Sequence, residues 1–338
     1  VGGGASADGD GERARAGTRA GSAAARVAQA APVAQADEAA ARSLVAPDVE
    51  RLHVHALYDA IAPHFSATRH SPWPAVETFV KALPVGSVVL DIGCGNGKYM
   101  GLNPGALVIG MDRSEGLLRI CADRGYDTLQ ADAVSLPFTS GCADVVLNIA
   151  VLHHISTAAR RESLMRELVR LLRPGGTLFV QAWAFEQGPD SRRTFDSQDV
   201  FVPWNLSMRY LGGGGASTDA ALPQDTTRAS TASDDSASGV GSAAHPSGAG
   251  GVVAGAEPTP ATSATAGLEA AGGVVNAKAG TVLFQRYCHV FKGGELEQLL
   301  HAATSSWPAT EVARAPEMEV TRAWWDKDNW CIIAHRRR

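Results

Sequence analysis

The chain has 338 residues, 45% of them hydrophobic, and its 30 basic and 35 acidic residues give a formal net charge of −5. A charge this close to balance neither indicates nor excludes a nucleic-acid partner. No apolar run approaches the roughly 18 residues of a membrane span, and the five cysteines are scattered without a C-x-x-C pair, which predicts a reducing compartment, cytoplasmic or nuclear, and no zinc site within this chain.

Composition divides the chain into four segments. Residues 1–46 and 211–280 contain no aromatic residue and consist mostly of Ala, Gly, Ser, Thr, Arg and Asp. Segments of this kind bury too little apolar surface to offset the entropy of ordering, so we predict a disordered tail and a disordered insertion. Residues 47–210 and 281–338 together have the size of one α/β domain. Organelle targeting by the Ala- and Arg-rich tail stays open.

The first predicted strand leads into a glycine-spaced turn. Val88–Ile92 is apolar on both faces, as expected for a buried parallel strand, and Gly93, Gly95 and Gly97 follow it. A nicotinamide site would show G-x-G-x-x-G after the strand. This chain has D-x-G-x-G-x-G instead, with Asp91 before the glycines, and an acid there suits a cationic ligand. S-adenosylmethionine, which carries an ammonium and a sulfonium, is such a ligand.

Polar residues also end the strands that follow. The predicted strands are Leu107–Met111, Asp127–Ala131, Ala143–Ile149 and Thr177–Trp183, with a helix over Ala158–Leu172. Asp112 would take ribose hydroxyls, Asp132 and Ala133 would meet the adenine, and Asn148 and Ala150 end the fourth strand. Each acid could equally be a turn or helix cap. Together they predict a class I S-adenosylmethionine-dependent methyltransferase fold, Rossmann-like α/β with a seven-stranded, mostly parallel sheet. The predicted cofactor-binding residues are Asp91, Gly93, Cys94, Gly95, Asn96, Gly97, Asp112, Asp132, Ala133, Asn148 and Ala150.

Five stretches carry a more specific resemblance. At "FSATRHSPWP", "DIGCGNGKY", "IAVLHHI", "QDVFVPW" and "DKDNWCII" the chain resembles the eukaryotic tRNA wobble-uridine carboxymethyl methyltransferases, which comprise the yeast-type stand-alone enzyme and the methyltransferase domain of the animal AlkB-homologue fusion protein. The resemblance implies methyl transfer from S-adenosylmethionine to the carboxylate of 5-carboxymethyluridine in the tRNA anticodon loop. It also implies a small zinc-binding activator subunit, which would cover an apolar edge of the domain.

The chemistry of that reaction nominates the groups for methyl transfer. A carboxylate is ionised at neutral pH, so it needs orientation and a dry site rather than a general base. His154, just past the fourth strand, is the first candidate, with His153 and Arg69 beside it. One histidine of the pair is expected to pack inward with its N–H bonded to backbone, and we assign that position to His153. Tyr58 and Phe65 are expected to close over the methionine end of the cofactor, or to be plain core.

Aromatic platforms and cations would serve the anticodon loop. The candidate platforms are Trp204, Tyr287 and His289, and the candidate phosphate contacts are Arg192, Arg193 and Arg336 to Arg338. Two other readings stay open. A small-molecule methyltransferase of the quinone- or sterol-modifying kind would have an apolar pocket and no use for Arg69. A non-catalytic RNA-binding scaffold would not need to retain the predicted cofactor site.

Overall fold

The computed structural model describes residues 45–210, 266–307 and 315–337. The predicted disordered tail therefore falls, except for its last two residues, outside the described part. The described residues from Ala46 onward belong to one compact unit. Its helices are α1 (Asp48–Glu50, a π-helical stretch Arg51–Ala56, and Leu57–Thr68), α2 (Pro74–Lys81), α3 (Glu115–Asp123), α4 (Ala158–Leu171) and α5 (Glu295–Ser305). Its strands are β1 (Val88–Ile92), β2 (Leu107–Asp112), β3 (Thr128–Gln130), β4 (Ala143–Ile149), β5 (Leu172–Trp183), β6 (Asp199–Ser207), β7 (Val274–Asn276), β8 (Thr281–His289), β9 (Met318–Asp326) and β10 (Asn329–Arg336).

The central sheet confirms the predicted fold class. Seven strands pair in the order β3-β2-β1-β4-β5-β10-β9. The pairings from β3 through β5 are parallel, and β10 pairs antiparallel with both β5 and β9. The strand order reverses between β1 and β4, so the carboxyl ends of these strands border the crevice where doubly wound sheets bind ligands.

Helices cover both faces of this sheet because β1 and its neighbours are apolar on both sides. Leu90 and Ile92 point into a core that also contains α4 and α5 residues, including Leu168 and Leu300. Val89 lies in a second core with residues of α2 and α3. The leucines at helical spacing on α4, namely Leu164, Leu168 and Leu171, are fully buried. None of the helices in the described residues combines the length and apolarity needed to span a bilayer.

A second sheet corrects the predicted boundary of the insertion. Its three strands have the order β6-β8-β7, so residues 274–276 lie within it rather than in a disordered segment. Leu268 is 6% exposed and packs with Phe284 and Val282 of β8. The Ala- and Gly-rich composition concealed a few apolar residues that are sufficient for this packing. Residues 211–265 lie outside the described part.

The helix α1 is attached to the main domain through a buried ion pair. Glu50 is fully buried and receives hydrogen bonds from the Ser156 backbone N–H (2.7 Å) and from Arg160 Nε (3.0 Å). Arg160 Nη2 lies 3.0 Å from Glu50 and 3.6 Å from Asp132 Oδ2. Because removing one partner would leave a buried charge uncompensated, this pair holds the first turn of α1 against α4.

Candidate active site

A cleft opens at the carboxyl ends of β1, β2 and β4, beneath α1. Most of the predicted residues line it, both those assigned to the cofactor and those assigned to methyl transfer. They are Gly93, Cys94, Gly95, Asn96, Asp112, Asp132, Ala133, Ala150, His153, His154 and Arg69. Tyr58 and Phe65 line it as well. Asp91, Gly97 and Asn148 do not.

The turn after β1 is held open by backbone geometry that only glycine adopts readily. Gly93 has φ +83°, and a Cβ there would lie 2.1 Å from Val151 Cγ2. Its N–H donates to the Met111 carbonyl (2.6 Å), which ties the turn to β2. Ala150, across the cleft, also has a positive φ of 62°. Such strained positions cluster at ligand sites because the surrounding structure must enforce them.

Two predicted cofactor residues have packing roles instead. Gly97 has φ +74°, and a Cβ there would lie 2.8 Å from the Tyr126 ring, so this position requires glycine for close packing. Asn148 is fully buried, and its Nδ2 donates to the Ile92 carbonyl (3.1 Å) at the end of β1. It therefore secures the strand that carries the turn.

Asp91 is 1% exposed, and its Oδ2 has no hydrogen-bond partner within the described residues. Burial, and then the charge of Asp112, raise its pKa to about 7, against the opposing effect of Lys98. Lys98 lines the cleft, and burial lowers its pKa to about 8. Asp91 does not itself line the cleft, but it precedes Gly93 by two residues. Its buried carboxylate oxygen without a partner in the described residues, together with the nearby Lys98, matches the ammonium and the carboxylate of a methionine moiety.

Asp112 and Asp132 occupy the opposite wall of the cleft. Asp112 accepts hydrogen bonds from the Gly95 and Ser114 N–H groups, both at 2.9 Å, so it orients the turn and the start of α3. Carboxylate oxygens can accept further bonds, which leaves capacity for ribose hydroxyls. Asp132 accepts from the Val134 N–H (3.1 Å) and lies 3.3 Å from Arg113 Nη1. Both acids therefore also cap backbone N–H groups of the residues that follow them.

The geometry reverses the assignment within the histidine pair. His154 Nδ1 lies 2.9 Å from the Tyr287 carbonyl, which can only accept, so Nδ1 carries the proton and Nε2 accepts from the Tyr58 O–H at 2.8 Å. His154, rather than His153, is thus the residue whose ring N–H is bonded to backbone. Burial lowers its pKa to about 3, so the ring is neutral at physiological pH.

His153 is the ring better able to donate into the site. Its Nδ1 accepts from the Trp183 N–H (3.3 Å), so the neutral ring carries its proton on Nε2. Burial lowers its pKa well below the usual 6.5. The ring stacks on Trp183 with centroids 5.1 Å apart, which fixes its orientation.

Arg286 is the functional residue that the sequence reasoning missed. It lies on β8, is 4% exposed, and lines the cleft. Its guanidinium carbon sits 4.7 Å from the Trp183 ring centroid. Burial opposes the charge, but neighbouring Tyr58 and Cys288 raise the pKa of Arg286, so it remains a cation. The signal was present in "TVLFQRYCH", where an arginine occupies an inward position of an otherwise apolar alternation.

A cluster beside Arg286 has the composition of a metal site but not its electrostatics. Ligand atoms of His153, His154 and Cys288 lie within 4.8 Å of one another. Both nitrogens of His154 are already hydrogen-bonded, and burial raises the pKa of Cys288 to about 11, so the thiol stays protonated. The adjacent guanidinium also opposes a divalent cation. We therefore interpret His153, His154 and Cys288 as a hydrogen-bonded cluster rather than as a metal site.

A second groove meets the cleft at two arginines. Arg69 and Arg286 line both, and Arg192 and Arg193 line the groove. The candidate platforms are wrong, because each is only 5% exposed and cannot offer a free ring face: Trp204, Tyr287 and His289. Arg336 ends β10 and its Nη1 donates to the carbonyl of Leu172, the first residue of β5, so it lies at the end of the sheet opposite the cleft. Arg337 follows it, and Arg338 is outside the described residues.

Comparisons with known proteins identify the family of the chain. Residues 90–180 match a family model described as a methyltransferase domain. The chain is 33% identical over 292 residues to the tRNA (carboxymethyluridine(34)-5-O)-methyltransferase of Schizosaccharomyces pombe, covering 86% of this chain and 98% of that protein. It is 48% identical over 166 residues to the Arabidopsis thaliana protein of the same name, covering 49% of this chain and 39% of that one. The corresponding mouse protein is 33% identical over 307 residues, covering 86% of this chain and 44% of that protein. The chain thus spans less than half the length of the plant and mouse relatives.

Proposed function

Because the chain belongs to the tRNA (carboxymethyluridine(34)-5-O)-methyltransferase family, we propose that it esterifies the carboxylate of 5-carboxymethyluridine at the wobble position of tRNA. The observation that carries this proposal is the buried cation Arg286, at the junction between the cofactor cleft and a groove lined by further arginines. A guanidinium can hold a carboxylate through two parallel hydrogen bonds, which fixes one oxygen for attack.

The cofactor is S-adenosylmethionine, which supplies a methyl group activated by a positively charged sulfur. Asp91, Lys98 and Asp112 would hold its ammonium, carboxylate and ribose. Gly93 and Gly95 would leave room for it at the turn, and Asp132 would lie on the adenine side. The lining includes apolar side chains such as Leu117 and Ile149, which keep the site poor in water.

The chain's own residues do no proton transfer in this scheme. The substrate carboxylate is ionised at neutral pH, and both histidines are neutral there because burial lowers their pKa values. Arg286 and Arg69 orient the nucleophile, and His153 Nε2 is a neutral donor suited to its second oxygen. Negative and positive charge meet in the transition state, so a dry site stabilises it relative to the separated charges.

The small-molecule alternative required an apolar pocket without a role for arginine. The junction instead carries two guanidinium groups. Both fit a carboxylate-bearing nucleotide and serve no purpose for a quinone or sterol ring.

The family resemblance also supports an activator subunit, and the sheet offers a surface for it. Among the described residues β3 pairs only with β2, so its outer edge is open. Leu129 on β3 is 40% exposed and Leu107 on β2 is 52% exposed. We propose that a small zinc-binding subunit covers this apolar edge.

The deciding experiment is transfer of labelled methyl to tRNA carrying 5-carboxymethyluridine, with and without the activator. The control tRNA carries unmodified uridine at the same position. Label that appears only on the modified tRNA and is released by mild base, as an ester is, would support the function. No label on either tRNA by a protein that still binds the cofactor would refute it.

A further inference from the structure

The groove beside β6 has no role in holding the cofactor, yet its composition is distinctive. β6 pairs only with β8 within the described residues, so its other edge borders the groove. The lining contains four arginines and a single acid, Asp196. Arg192 is exposed, whereas Arg193 is half-buried. This surface favours a polyanion.

One aromatic side chain lies at the surface here. Phe201 lines the groove and is 52% exposed, although phenylalanine is normally buried. It belongs to the outward-facing set of β6, with Pro203 and Asn205, while Val202 and Trp204 point inward. The His53 ring meets the Phe201 ring edge-on at a centroid distance of 4.8 Å, which restricts its motion.

Single-stranded RNA is the ligand that needs both features. Its bases stack on aromatic side chains, and its phosphates pair with arginine. The groove is also continuous with the catalytic cleft, because Arg69 and Arg286 line both. A nucleotide whose base enters the cleft therefore has its neighbours in or beside the groove.

We propose that this groove binds the nucleotides flanking the target uridine, with Phe201 as the stacking platform for one adjacent base and Arg192 as a phosphate contact. The proposal rests on the proposed function, since it assumes that the substrate is a nucleotide within an RNA strand. It assigns to Phe201 the part that the sequence suggested for Trp204, Tyr287 and His289.

The test uses the full chain, with the activator if required, and an anticodon stem-loop RNA containing 5-carboxymethyluridine. Phe201→Leu keeps an apolar side chain but removes the ring, and Phe201→Trp restores a ring. We expect Phe201→Leu to raise the RNA Kd by about 5- to 150-fold, the range of one stacked base. Phe201→Trp should bind within about threefold of wild type, and cofactor Kd should change in neither variant.

A stem-loop lacking one base beside the target identifies the partner of the ring. If Phe201 stacks on that base, removing the base should weaken RNA binding by the wild type but add little to the loss of affinity already caused by Phe201→Leu. Arg192→Gln should reduce the slope of log Kd against log salt by about 0.7 to 0.9, while Arg119→Gln, at an exposed arginine on α3, should leave it unchanged.

The outcomes separate the two proposals. Ester formation on the stem-loop by wild type, with equal RNA Kd in Phe201→Leu, would overturn the groove proposal and leave the function intact. The same holds if Phe201→Leu weakens binding of the activator but not of RNA, which would make the groove a protein interface. Tight binding that depends on Phe201 without ester formation would refute the function and retain the groove.

Discussion

The Asp91 carboxyl should make cofactor binding depend on pH in a calculable way. Burial and the nearby Asp112 raise its pKa to about 7, so most molecules carry a protonated Asp91 at pH 6. The cofactor bears a net positive charge and favours the ionised form. Binding at pH 6 should therefore expel this proton.

The size of the effect follows from that pKa. One pH unit below it, about nine-tenths of the carboxyls are protonated, so binding should release about 0.9 proton. Ionisation then opposes binding by about 1.4 kcal/mol, which makes the affinity about tenfold weaker than it would be with Asp91 fully ionised. At pH 5 the affinity should be about a hundredfold weaker. Folding stability without the cofactor should depend on pH in the opposite direction. The folded state holds this proton more tightly than the unfolded chain does, so the contribution of Asp91 to stability falls as pH rises from 4 to 7.

Isothermal titration calorimetry at pH 6, in two buffers with different ionisation enthalpies, counts the protons directly. Asp91→Asn is the control, since it retains the shape but cannot titrate, while Lys98 stays protonated at this pH. S-adenosylhomocysteine lacks the sulfonium charge but keeps the ammonium that Asp91 would hold, so its titration should release a similar number of protons. Wild-type binding at pH 6 without proton release, or with the release seen in Asp91→Asn, would refute the reasoning.

Three further perturbations test other parts of the site. Gly93→Ala and Gly125→Ala impose a similar backbone strain of about 1–2 kcal/mol, so both variants should have a lower Tm. Of the two, only Gly93→Ala places its new Cβ against another side chain, so only this variant should bind the cofactor at least about tenfold more weakly, and equal cofactor affinities would contradict this. Arg286→Gln should lower kcat/KM on modified tRNA by about 30-fold or more and leave the cofactor Kd unchanged. Arg286→Lys should recover only part of this activity, because lysine lacks the planar guanidinium that binds both carboxylate oxygens, and near-normal turnover in Arg286→Gln would exclude carboxylate binding at this residue. His154 stays neutral in the folded protein but is protonated in the unfolded chain below about pH 6.5, so as pH falls from 6.5 to 5 this residue should lower wild-type stability by up to about 1.4 kcal/mol per pH unit. Urea unfolding at several pH values should show that the free energy of unfolding of His154→Gln changes less with pH, and an unchanged pH dependence would contradict the assignment.

The parts of this fold that rest on local pattern could be predicted from sequence. β1 and β4 have the predicted bounds, because apolar runs ended by a polar residue and a turn are local signals. Gly97 was predicted as a turn glycine, and its backbone needs glycine, but the reason is Tyr126 packing against it from the loop after α3. A distant neighbour of this kind leaves no mark at position 97 itself.

What could not be predicted depends on contacts between remote segments. The orientation of His154 is set by the Tyr287 carbonyl, which lies 133 residues away in sequence. Arg286 reaches the cleft because β8 returns beside β6 after the Ala- and Gly-rich stretch. The same composition concealed Leu268, whose burial depends on partners in β8. Burial of Trp204 likewise follows from its alternation within a sheet that composition did not reveal.

Because β6 pairs with β8, the geometry of the site does not depend on how many residues connect the two strands. Ser207 and Thr281 are register partners, and five residues further along β8 Arg286 pairs with Val202. Closing a loop grows costlier only slowly, by about 0.6 kcal/mol for each doubling of its length. Residues can thus be gained or lost between 211 and 265 while the guanidinium stays where the strand ladder places it, so natural selection can alter this stretch without rebuilding the catalytic centre.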